Sequence, residues 1–229
     1  MEKKVTVLSL GGSIIAPDEI DFAFLKKFHK LLESEKHKYK FVIVCGGGSI
    51  ARKYIHALRQ AGKSEYLQSM AGIAVTRMNA RFLTYFFGKD ANQGIPHDMN
   101  QVKNLLKKND FVFCGALRYK ERQTSDSTSA NLAGYFKTDF INLTKVTGLY
   151  NKNPLTNKDA RFIPKISWQA FFKMANKIKF QPGQHFVLDQ NAAKTIMENK
   201  IKTYIIGRNL KTLKAVLNGK KFKGTIIAG

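Results

Sequence analysis

Two glycine turns stand at the ends of short apolar runs: Gly11-Gly12-Ser13 after residues 5–10, and Gly46-Gly47-Gly48 after residues 41–45. Glycine there lets backbone N–H groups approach a phosphate oxygen, because no Cβ stands in the way. A helix starting just beyond adds partial positive charge at the same point. One such turn is an ordinary tight corner; two on neighbouring strand ends predict an anion cradle. Arg52 falls one turn into the helix expected after the second glycine run, where a guanidinium would offset phosphate charge. Asp189 begins a further expected helix that carries Lys194, and capping that helix is the everyday role of an aspartate there. Phosphoryl transfer asks for two anions held in line with their charge neutralised. Helix N-termini supply only about 0.3–2 kcal/mol each toward this, so cationic side chains and Mg²⁺ must do most of it.

Rival chemistries lack their residues. Gly62-Lys63-Ser64 has the tail of a P-loop, but Ala57 stands where its first glycine belongs. No GxGxxG, HExxH or GxSxG occurs. Cys45 and Cys114 each close an apolar run and have no zinc-ligand spacing, so they read as buried thiols and no protein metal cage is expected.

The elements that must hold these residues alternate. Strands are expected over 5–10, 41–45, 111–114, 139–143, 203–206 and 225–227. Helices are expected over 21–35, 50–61 with Ser49 as its cap, 66–87 with a weak point at Ala71-Gly72, 126–136, 167–175, 190–199 and 209–217. The stretch from Thr147 to Pro154 is turn-rich and reads as a surface excursion. Alternation of this kind predicts an α/β protein with a largely parallel sheet. The chain reads as a single domain over 1–229, with approximate halves at 1–110 and 111–229.

The chain's 229 residues, 44% hydrophobic, suffice for a sizeable core. No apolar run approaches the roughly 18 residues of a membrane span. Met1-Glu2-Lys3-Lys4 leads into a strand without the apolar region of a signal peptide, so a cytoplasmic protein is expected. The 39 Lys+Arg against 16 Asp+Glu give a formal charge of +23, which favours anionic partners and nonspecific nucleic-acid affinity. The lysines are spread along the chain and no aromatic-basic RNA-binding signature accompanies them.

Taken in order, Leu10 to Ser13, Gly46 to Tyr54, Gly72 to Ala80, Thr124-Ser125-Asp126, Thr144 to Tyr150, Asp189 to Lys194 and Gly224 to Ile227 resemble UMP kinases of the archaeal type, within the amino-acid-kinase superfamily. The resemblance runs over nearly the whole chain. It implies a three-layer α/β/α sandwich around a central, mainly parallel sheet, transfer of the ATP γ-phosphate to UMP with Mg²⁺, and a homohexamer. It assigns Gly11, Gly12, Ser13, Gly47 and Arg52 to ATP phosphates, and Thr144, Tyr150 and Asn153 to the adenosine side. It places Gly46, Ser69, Thr124, Ser125 and Asp126 around UMP, and gives Asp189 an orienting role beside Lys194 and Arg52.

Several positions depart from the family pattern. Ser9 replaces a superfamily lysine, Ser69 an aspartate expected at the UMP ribose, Lys145 and Thr147 an Asn and an Asp, and Asn153 an Asp. The acceptor loop lacks its Pro-Gly and carries Arg118, Lys120 and Arg122. Two other readings therefore stay open: a sibling enzyme with another acceptor such as isopentenyl phosphate, and a non-catalytic nucleotide- or nucleic-acid-binding homologue. Arg77 is open between site and scaffold.

Overall fold

The computed structural model describes residues 2–17, 19–121, 123–177 and 188–229. The chain opens with β1 (Lys4–Leu10), the one-turn helix α1 (Gly12–Ile15), α2 (Phe22–Glu35), β2 (Tyr39–Cys45), α3 (Gly48–Gln60) and α4 (Glu65–Phe87). Then follow α5 (Met99–Lys108), β3 (Phe111–Cys114), α6 (Ser125–Tyr135), β4 (Phe140–Leu143), β5 (Leu149–Tyr150), β6 (Phe162–Ile163) and β7 (Lys165–Ile166). The chain ends with α7 (Trp168–Asn176), α8 (Gln190–Glu198), β8 (Thr203–Ile206), α9 (Leu210–Leu217) and β9 (Thr225–Ile227).

A seven-stranded sheet runs in the order β3-β2-β1-β4-β8-β9-β7, parallel throughout except where β8 meets β9. Its central strands read as continuous apolar runs because helices cover both faces. Alternation along each strand sorts side chains between two cores. Leu8, Leu10, Phe41, Ile43 and Phe113 pack with α2, α4 and α9. Val7, Val42, Val44, Val112 and Phe140 pack with α5, α6, α7 and α8. The expected mainly parallel α/β/α layering is therefore what the chain adopts.

Differences from the sequence reading have local causes. Ser49 does not cap α3: Gly47 holds that position without a side-chain bond, and Ser49 Oγ donates to the Pro17 carbonyl at 3.2 Å. Gly72 does not weaken α4, since a Cβ there would come within 3.2 Å of Ile55 Cδ1, so glycine lets α3 and α4 pack closely. The sequence reading passes over α5, although Asp98 caps it by accepting from Gln101 N at 2.9 Å. The excursion after Thr147 is anchored rather than loose. Strands β5 and β6 pair antiparallel, Leu149 N donates to Thr225 Oγ1, and that hydroxyl donates to Ile163 O.

Candidate active site

Register brings the strand tips level. Leu10 pairs with Cys45 on one side and Leu143 on the other, and Leu143 pairs with Ile206. The next residues, Gly46, Gly11, Thr144 and Gly207, thus line the carboxyl edge, with Gly115 beyond Cys114 one strand further. Strand order reverses direction between β1 and β4, the switch point at which open α/β sheets bind ligands.

The two glycine turns touch through their backbones. Gly46 N donates to Leu10 O at 2.9 Å, and a Cβ on Gly12 would stand 2.2 Å from Gly48 N and 2.5 Å from Gly46 O. Asn79, buried on α4, donates from Nδ2 to Gly46 O at 2.7 Å and fixes the second turn from below. Thr76 accepts from Ala116 N at 2.9 Å, while Arg77 donates to the carbonyls of Ala116 and Leu117. Arg77 is therefore scaffold for the acceptor loop. Arg118 pairs with Asp98 at 3.2 Å, Tyr119 meets Tyr66 edge-on at 4.9 Å, and Arg122 lies outside the described residues.

The capping pattern singles out this edge. Asp21, Ser64, Asp98, Thr124, Ser167, Asp189 and Asn209 cap α2, α4, α5, α6, α7, α8 and α9 with their side chains. Among the described α-helices only α1 and α3, which follow the glycine turns, begin without a side-chain acceptor. Their first N–H groups are left for another anion to satisfy. Arg52, half-buried one turn into α3, has its guanidinium pKa lowered by burial and no hydrogen-bond or ion-pair partner among the described residues.

A carboxylate pair lies beside β1 near its tip. Asp189 is 2% exposed; its Oδ1 accepts from Ser127 Oγ at 2.6 Å and Ala192 N at 2.8 Å, and its Oδ2 from Thr124 Oγ1. Asp126 Oδ1 accepts from Ser9 Oγ at 3.0 Å. Desolvation first, and then the Asp189 charge, push the Asp126 carboxyl up to about 7, with the Ser9 bond acting the other way. From the ordinary value of 3.8 up to about pH 7, the folded chain thus holds a proton on Asp126 that the unfolded chain has lost. That contribution to stability is complete below pH 3.8 and disappears as pH rises through about 7. Asp126→Asn should flatten the fall in urea-unfolding free energy between about pH 5 and pH 8 by more than about 1 kcal/mol. Identical slopes for variant and wild type would show that Asp126 titrates normally.

Other expected site residues are more dispersed. Thr144 lies in the tip row, its N–H donating to Ile206 O at 2.9 Å. Tyr150 is on β5 with its ring 5.4 Å from Phe162, and exposed Asn153 accepts from Leu155 N at 3.0 Å within its own turn. Ser69 is half-buried in the second turn of α4, and Ser125 opens α6. Lys194 points to solvent and pairs with Glu198 at 3.8 Å, so Thr124, Ser127 and the Ala192 amide hold Asp189 instead. Reading by residue type passes over Ser127, Thr76 and the donor role of Ser9. Their one signal is polarity at positions where the pattern demands burial.

A profile described as the amino acid kinase family matches residues 4–207. The chain belongs to the amino acid kinase family. Within that family it is 37% identical over 215 residues to the uridylate kinase of Thermoplasma volcanium, covering 93% of each chain. It is 34% identical over 223 residues to the uridylate kinase of Archaeoglobus fulgidus, covering 97% of this chain and 99% of that protein. The crystal structure of the Archaeoglobus fulgidus enzyme superposes with a TM-score of 0.84, at 34% identity, over 98% of this chain and all of the other. The UMP kinase of Ureaplasma parvum shares the fold at 21% identity, with a TM-score of 0.79 over 100% of each chain. In this family member the scaffold carries the glycine tips and the Asp126–Asp189 pair described above.

Proposed function

We propose that this chain is a UMP kinase, transferring the γ-phosphate of ATP to UMP to give ADP and UDP. The observation that carries the reading is the pair of uncapped helix N-termini meeting at backbone distance, with an unpartnered Arg52 one turn into α3. Two anions brought there would be held side by side by fixed N–H donors that need no reorganisation as charge shifts. Uridylate kinase relatives over nearly the whole chain support UMP as acceptor.

In this reading Gly11, Gly12, Ser13, Gly47 and Arg52 hold the ATP phosphates, with Thr144, Tyr150 and Asn153 toward the adenosine. Gly46, Ser69, Thr124, Ser125 and Asp126 surround UMP, and the halves 1–110 and 111–229 serve acceptor and nucleotide. With Mg²⁺, substrate phosphates would supply most of the shell, with one or two carboxylates from the protein. Asp126 would hold it, since no hydrogen bond occupies its Oδ2 among the described residues. The ion would neutralise phosphate charge. Asp189 accepts from Thr124 and so holds the start of α6, the helix that carries Asp126. Nothing else in the transfer needs a covalent role for the protein.

Among the described residues no helix is long and apolar enough to cross a membrane, and a cytoplasmic enzyme supplied by free nucleotides fits. A homohexamer fits exposed Tyr54, Tyr66, Leu67, Met78 and Tyr85 on α3 and α4, a stripe that a second copy would cover. ADP release with UMP, CMP, dTMP, isopentenyl phosphate and N-acetylglutamate tests the acceptor. UMP should exceed every other acceptor at least tenfold in kcat/KM. A better rate with isopentenyl phosphate would move the chain to a sibling activity, and no turnover with any of them would end the enzyme reading.

A further inference from the structure

The Gly46–Gly47 peptide joins two residues without Cβ atoms, and its orientation decides what the second strand tip shows to a ligand. In a trans peptide the C=O and N–H point in opposite directions. Gly46 O lies 2.7 Å from Asn79 Nδ2 on α4, so Gly47 N–H points away from α4. That N–H has no acceptor among the described residues. Gly47 takes φ −85° and ψ −21°, and Gly48 follows with φ +65°. A right-handed residue followed by a left-handed one gathers successive N–H groups into a concavity suited to an anion. The free Gly47 amide therefore belongs to the donor set at the start of α3.

No backbone bond holds Gly46 O in that direction. Turning the peptide over would carry Gly47 from a negative to a positive φ, which glycine populates about as readily. The turned peptide would aim a carbonyl oxygen where the amide now points, so an anion would meet repulsion in place of a donor. Among the described residues Asn79 supplies the one hydrogen bond to Gly46 O. Its side chain is buried, 6% exposed, and of its two polar ends only the NH₂ can meet a carbonyl. Thr76, three positions earlier on the same face of α4, accepts from Ala116 N at 2.9 Å. Helix α4 is thus tied to the neighbouring strand end as well, and gives Asn79 a fixed base.

We propose, resting on the kinase reading for the identity of the anion, that Asn79 is a positioning residue: its side chain keeps the Gly46–Gly47 peptide turned so that Gly47 N–H faces the ATP phosphates. The probe is a fluorescent ATP analogue, titrated without UMP. Asn79→Asp keeps the size of the side chain and exchanges its donor for an acceptor, which draws Gly47 N–H inward. Asn79→Leu removes the donor and adds no charge. Both should bind the analogue at least about tenfold more weakly, the loss expected when a hydrogen bond to a charged group goes. A crystal structure of Asn79→Asp should show Gly46 O turned away from residue 79. Thr138→Val is the structural comparison, since it deletes a side-chain donor to another strand carbonyl, Val5 O at 2.6 Å, near the amino end of β1. It should lower the urea midpoint and leave the affinity for the analogue unchanged. Wild-type affinity in either Asn79 variant, an unturned peptide in the Asn79→Asp crystal, or an equal loss of affinity in Thr138→Val would overturn the proposal. If Asn79→Asp does not fold, Asn79→Leu decides by itself. A wild type that binds the analogue but phosphorylates no acceptor ends the kinase reading alone, because affinity still judges Asn79. One that binds no ATP analogue overturns both.

Discussion

Gly12→Ala should abolish measurable phosphoryl transfer, with at least a 10²-fold loss in kcat, and destabilise the fold by about 3 kcal/mol. The added methyl would sit 2.2 Å from Gly48 N, 2.5 Å from Gly46 O and 2.6 Å from Gly47 C. All three are backbone atoms held by the β1–β2 ladder and by Asn79, so no side chain can rotate out of the way. The tips must part, and parting them misplaces both uncapped helix starts at once. Gly11 is the internal comparison: a methyl added there would come no nearer to any neighbour than 3.2 Å, at Leu143 O, so Gly11→Ala should be milder on both measures. Steady-state rates and urea unfolding on the two variants decide the matter, and a Gly12→Ala enzyme with wild-type kcat would mean that contact between the tips is not what positions the phosphates.

Arg52→Ala should lower kcat by about 10²-fold while leaving the denaturation midpoint within about 0.5 kcal/mol of wild type. The guanidinium has no partner among the described residues to lose, so the folded chain gives up little. On the proposed reading the transition state, in contrast, loses a cation that offsets phosphate charge. Rate and midpoint separate this role from a structural one: an arginine that only packed α3 would move the midpoint and spare the rate. Wild-type turnover in the variant would take Arg52 out of the site.

Much of the architecture is legible in the sequence because its central strands are buried on both faces. Runs such as Phe41 to Cys45 and Phe111 to Cys114 carry no competing periodicity. Side-chain caps make several helix starts equally plain, with Asp189 ahead of α8 and Asn209 ahead of α9. The two-residue strands β5, β6 and β7 are too short to show any period. Helix α5 is different: Asp98, Val102 and Leu106 do announce it, and the adjoining glycine and proline draw the eye to a turn instead.

Within the site, glycine runs and an arginine one turn downstream can be read by type. The Ser9–Asp126 bond spans 117 positions along the chain and the Thr124–Asp189 bond 65, so neither partner announces the other. Lys194 shows the opposite hazard. Spacing alone sets it five residues after Asp189, yet five residues on a helix turn a side chain well round the axis, and its ammonium meets Glu198.

Ser9 sits between Leu8 and Leu10 on the central strand, so it alone of the three faces the α6 layer. A slip of one position in β1 would swing both leucines toward Asp126 and drive the hydroxyl among Phe28 and Leu213. The alignment of this strand is thus enforced twice, by oil on one side and by a carboxyl on the other. Inserting or deleting a single residue between Val5 and Leu10 would dismantle the catalytic edge and the core together, leaving no inactive but well-folded intermediate for such a mutation to occupy.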